Sequence, residues 1–232
     1  MAATKRKHDG FSFLLGATAL TIVLWYVPYA DRLVYPLRIF VTFMHETAHA
    51  LAALATGGAV ERIEIASNGS GLTYTRGGWS LLIASAGYVG TMLYGGLLLM
   101  LSKQAKHARL ALVGTSLLVG LVTLFWVKPI LSFGFSAGVA LTIGLAATLY
   151  LATARVTHFL VSFLGVQSCL NSLFDLKTLF LLSAHTNVPT DAMTLEQMTM
   201  IPAILWALAW VGISLLILFL ALRSYRSALP KL

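Results

Sequence analysis

Two histidines four residues apart, His45 and His49, flank the pentapeptide His45-Glu46-Thr47-Ala48-His49 in the apolar run from Ile39 to Val60. On a helix these imidazoles lie one above the other on a single face. Their ring nitrogens can converge on one Zn²⁺, and the glutamate between them can reach the water that the metal activates. A catalytic zinc needs a third protein ligand and an open fourth position, an arrangement that brings the pKa of water to about 7. Glu46 is the only formal charge between Arg38 and Glu61. An ionisable group inside an apolar span is expensive unless it has a partner or a task, so the pentapeptide reads as the core of a zinc hydrolase with Glu46 as its base. The competing reading is a polar cluster satisfied by neighbouring helices.

The third ligand is sought among eight acids: Asp9, Asp31, Glu46, Glu61, Glu64, Asp175, Asp191 and Glu196. Only Glu46 and Asp175 lie inside long apolar runs, which leaves Asp175 as the best candidate. It belongs to a second polar island, Ser168, Asn171, Asp175 and Thr178, whose steps of three and four place it on one face of an apolar helix. That face is expected to meet protein rather than lipid. The bland alternative for Asp175 is an ion pair with Lys177 or Lys128. His8, His107, His158 and His185 flank spans or mark helix ends, and none has a second ligand at metal spacing. Cys169 points away from the polar stripe and reads as packing.

The elements that must hold these groups are membrane helices. Of 232 residues 58% are hydrophobic and 10% charged, which describes a polytopic membrane protein forming one integral domain over residues 1–232. The net charge of +8 is scattered in short groups between apolar runs. Such cations anchor a chain at the lipid bilayer's surface and exclude a nucleic-acid stripe. A single cysteine excludes an internal disulfide.

About seven spans are expected, in an all-α fold interrupted by one β-hairpin. Lys5-Arg6-Lys7 precede a retained first helix over 11–30, and the motif helix runs over 37–56 after a turn through Asp31, Arg32 and Pro36. Glu46 lies ten residues before Thr56, roughly 15 Å from that end and near mid-membrane, so the chemistry needs a water path. Gly57-Gly58 end the helix. Residues 60–65 then alternate in polarity, Asn68-Gly69-Ser70-Gly71 form a turn, and 72–76 favour a strand. An open strand edge beside the zinc could hold a substrate in extended form. Further helices are expected over 79–101, 110–127, 130–153, 156–183 and 201–222, with a short interfacial helix capped by Thr194 and Gln197 before the last.

With both polar islands in view, the chain resembles the site-2 protease family of intramembrane zinc metalloproteases. The resemblance rests on His45-Glu46-Thr47-Ala48-His49, the glycine-bounded hairpin after it, and Asn171-Ser172-Leu173-Phe174-Asp175, with a metalloprotease-like core over 37–183. It implies His45, His49 and Asp175 as zinc ligands, Glu46 as general base and Asn171 as a substrate or oxyanion contact. Where the family has Leu-Asp-Gly preceded by prolines, this chain has Phe174-Asp175-Leu176.

The expected function is therefore an endopeptidase that cuts a membrane protein in or near a transmembrane segment. A non-proteolytic scaffold or chaperone-like protein on the same fold is the alternative, and a transporter finds little support, since neither paired repeats nor broken helices stand out. The charge bias across the loops places the N-terminus outside, whereas the family resemblance places it inside.

Overall fold

The computed structural model describes residues 15–24, 26–27, 31–185 and 190–227. The basic triplet Lys5-Arg6-Lys7 and the start of the expected first helix lie outside them. In order, the described elements are α1 (Leu15–Leu24), α2 (Asp31–Ala55), β1 (Ala59–Ile65), β2 (Gly71–Arg76), α3 (Ser80–Leu101), α4 (Ala105–Phe125), α5 (Phe133–Leu151), α6 (Ala154–His185), α7 (Asp191–Thr199) and α8 (Ala203–Ser227).

Among the described residues, five helices, α3, α4, α5, α6 and α8, are long and apolar enough to cross a membrane. The sequence suggested seven. The described part of α1 is ten residues, and in α2 the two histidines and the glutamate dilute an otherwise apolar run. Helix α2 also starts earlier than expected, at Asp31, and carries Pro36 within it. Lacking an N–H, that proline removes a single backbone hydrogen bond near the helix start.

Helix α6 is the hub, with 56% of its span buried, against 17% for α5 and 22% for α8. It packs on α3 and α4, and α3 in turn packs on α2 and α8. At the α3–α6 crossing a side chain is excluded on either helix. A Cβ on Gly95 would lie 2.7 Å from the Gly165 carbonyl oxygen, and one on Gly165 would lie 2.9 Å from the Gly95 carbonyl oxygen. Small residues of this kind let membrane helices approach closely. Helix α8, by contrast, leaves Leu208, Leu216 and Phe219 exposed, as a lipid-facing helix should.

The hairpin forms where the polarity pattern placed it. Asn68 Oδ1 accepts from the Ser70 N–H at 2.9 Å, and Gly69 takes φ +87°, a backbone conformation that favours glycine. The strands pair antiparallel from Ala59–Arg76 to Ile65–Gly71, with a bulge between Val60 and Arg62. The outer edge of β1 is covered by the α4–α5 connection, because the Ile63 N–H donates to the Trp126 carbonyl and the Lys128 N–H to that of Ile63. Among the described residues no third strand pairs with β2, so its outer edge stays open.

One sequence expectation is corrected. Helix α7 is capped by Thr190, whose hydroxyl accepts from the Met193 N–H at 3.3 Å. Thr194 lies inside it, its hydroxyl spent on the Thr190 carbonyl. A threonine four residues earlier supplies the same capping chemistry next to an acid that suits a helix start.

Candidate metal centre

The helical spacing in α2 does what the pentapeptide predicts. The rings of His45 and His49 stand 4.7 Å apart, centre to centre, and both Nε2 atoms point toward Gly87 of α3, where any Cβ would collide with them. Only a glycine leaves that space free. Beyond it lies Asp191, the first residue of α7, with Oδ2 3.5 Å from His45 Nε2 and 3.4 Å from His49 Nε2. One ligand atom from each of His45, His49 and Asp191 lies within 4.8 Å of the others.

This donor set suits a metal. His49 Nδ1 sits 2.6 Å from the Ile83 carbonyl oxygen, which can only accept, so Nδ1 carries a proton and Nε2 is the nitrogen left to face Asp191 or, once deprotonated, a metal. Two imidazoles and a carboxylate around a glycine cradle match a three-ligand zinc site with an open position. Burial alone would raise the pKa of Asp191, but the charges and hydrogen bonds of His49 and His45 outweigh it and hold the carboxyl below its usual range. The group is anionic and ready to ligate.

Glu46 is 4% exposed and fastened to the hairpin. The Thr73 hydroxyl donates to its Oε2 at 2.7 Å, and a side chain at Gly71 would overlap its carboxylate. The hairpin is itself pinned along α2, since Tyr35 donates to the Ser67 carbonyl at 2.6 Å and Thr42 to that of Gly69 at 2.9 Å. The start of β2 is thus held against the Glu46 carboxylate.

These groups share a cavity of about 580 Å³ that is open on one side. Asp175 and Asn171 line it as well. Asp175 does not join the group of converging donor atoms, and among the described residues it is in no ion pair; Lys177 lies 5.7 Å over the Phe174 ring instead. Asn171 donates through Nδ2 to the Gln167 carbonyl at 2.9 Å.

Sequence reasoning passed over Asp191 because it sits in a polar stretch rather than an apolar run. The available signal was local: Thr190-Asp191 is a cap followed by a first-turn acid, at the start of the short helix after the polar-striped α6. Helix α7 is anchored to α8 by two contacts. Glu196 Oε2 accepts from the Ala203 N–H at 3.0 Å, and Trp206 Nε1 donates to the Thr199 hydroxyl at 3.3 Å.

A protein-family model described as Peptidase M50B-like matches residues 14–221, a span that contains every residue of the site. No curated protein and no solved structure matches the chain.

Proposed function

The chain belongs to the Peptidase M50B-like family, a site-2 protease family, and is an integral multi-pass membrane protein; from that premise we propose that it is an intramembrane zinc endopeptidase whose metal is held by His45, His49 and Asp191. The observation that carries this reading is the convergence of the three donor atoms within 4.8 Å of one another, with Gly87 leaving room beside the two imidazoles. Zinc bound there supplies the Lewis acidity that makes a water acidic and polarises a carbonyl.

The chain's own residues do the rest. Glu46 takes a proton from the attacking water as its oxygen bonds to the scissile carbonyl carbon. It then delivers that proton to the amine nitrogen as the C–N bond breaks. Thr73, by fixing Oε2, holds the carboxylate in place and leaves Oε1 for this transfer. The open edge of β2 lines the cavity through Leu72, Thr73 and Thr75, which suits a substrate segment of a membrane protein unwound into extended form and added as a strand.

The test is zinc per chain in detergent-purified protein. Wild type should carry about one zinc, His45→Ala and Asp191→Ala should lose it, and Asp175→Asn should keep it. The opposite order for the two aspartates would give the third position to Asp175. Glu46→Gln should keep zinc while cleavage of a membrane-protein substrate falls roughly 10²- to 10⁴-fold. A folded wild type without zinc would remove the protease and leave the scaffold.

A further inference from the structure

Among the described residues, the cavity around the His45–His49–Asp191 group holds three carboxylates, Glu46, Asp175 and Asp191, and a single Lys or Arg, Arg38. Peptide hydrolysis must place a further negative charge there, on the scissile carbonyl oxygen, and that charge needs hydrogen-bond donors already in position. Most nearby donors are committed elsewhere. Thr73 donates to Glu46, Thr178 to the Phe174 carbonyl, and Asn171 spends one of its two Nδ2 hydrogens on the Gln167 carbonyl.

Tyr88 differs from them. It follows Gly87 on α3 and is fixed on three sides. Its ring stands edge-on to His45 with centroids 4.7 Å apart, and it stacks on buried Trp210 at 5.4 Å. Its backbone carbonyl accepts from the Ser172 hydroxyl at 3.0 Å. Tyr88 lines the same cavity as Glu46, Asp175 and Asp191. Yet that hydroxyl makes no hydrogen bond among the described residues. A half-buried tyrosine hydroxyl ordinarily finds a partner, and here the ring is immobilised at the wall of the cavity.

We propose that Tyr88 is a further catalytic residue, whose hydroxyl donates a hydrogen bond to the oxyanion that develops on the scissile carbonyl. This rests on the endopeptidase reading above. The phenol keeps its proton throughout, so the proton balance between water, Glu46 and the leaving amine is unchanged. Stacking on Trp210 holds the hydroxyl in position before the substrate arrives, which is the condition for such a donor to favour the transition state over the ground state.

Tyr88→Phe tests the assignment cleanly, because phenylalanine keeps both ring contacts and loses only the donor. Two readouts are needed: hydrolysis of fluorescein-labelled casein, and calorimetric binding of a phosphinic peptide, whose tetrahedral anion mimics the oxyanion, to zinc-loaded protein. The variant should hold zinc as wild type does, show KM unchanged and lose roughly 10- to 100-fold in kcat, and bind the phosphinic peptide weaker by a similar factor. Unchanged kcat with unchanged phosphinic affinity would overturn the proposal, as would loss of zinc, which would make Tyr88 a support for His45. If the phosphinic peptide binds in a Tyr88-dependent way but wild type cleaves nothing, the donor assignment is supported and the endopeptidase reading fails.

Discussion

Helices α2 and α6 each carry a row of polar side chains through an apolar span, yet the two rows do opposite things. On α6, Ser168 donates to the Leu164 carbonyl, Asn171 to that of Gln167 and Thr178 to that of Phe174, so each is satisfied one turn back within its own helix. On α2 the polar groups reach across to other elements: Thr42 to the hairpin turn, Glu46 to Thr73, His49 to Ile83 and both histidines to Asp191. Hydroxyls and amides can return a proton to the backbone, which makes them tolerable in a membrane span without any task. A carboxylate has no proton to return and must look outward. Asp175 is the member of the α6 row with this property, and it is the one that faces the cavity without a helical partner.

Four substitutions would break or sharpen that contrast. The largest effect is expected from Gly87→Ala, which touches neither polar row but fills the space where the two α2 imidazoles converge. Zinc affinity should fall by roughly 100-fold or more, read by metal competition, with helix content by circular dichroism retained. Next is Thr73→Val, which removes the hydroxyl from Glu46 Oε2. A hydrogen bond to a charged group is worth about 1.5–3 kcal/mol, so kcat should drop about tenfold or somewhat more while zinc stays bound. Smallest are Ser168→Ala and Thr178→Val on α6, each expected within about 0.5 kcal/mol of wild type in thermal stability and without effect on cleavage. Strong loss of activity in either would mean that the α6 row works beyond its own helix.

What could be read from the chain follows the same division. The α2 site is local: its two histidines are four residues apart, so a helix period is enough to bring them together, and the alternation from Val60 to Ile65 with a glycine turn is enough to announce the hairpin beside them. The proposed third donor is not local. Asp191 reaches the histidines only through the packing of α7 on α3 and α8, which no periodicity encodes. Elimination favoured Asp175 because it treated burial within an apolar run as the mark of a site residue, whereas Asp191 reaches the site from the first turn of a short polar helix. Tyr88 and Gly87 were hidden for another reason. Among the glycines of α3 the small-residue pattern reads as packing, and at Gly95 packing is indeed what it does. At Gly87 the same residue type makes room for two ring nitrogens, and the tyrosine after it is oriented by a tryptophan on α8, far along the chain.

The placement of the proposed ligands on α2 and on α7 also has a consequence for biosynthesis. A ribosome delivers His45, Glu46 and His49 to the membrane early and Asp191 only after α6 has been made. Throughout that interval the general base is present without a complete metal centre. On the proposed ligand set, a chain cut short before α7 lacks the third donor, and the metal centre is complete only once α7 docks against α3 and α8.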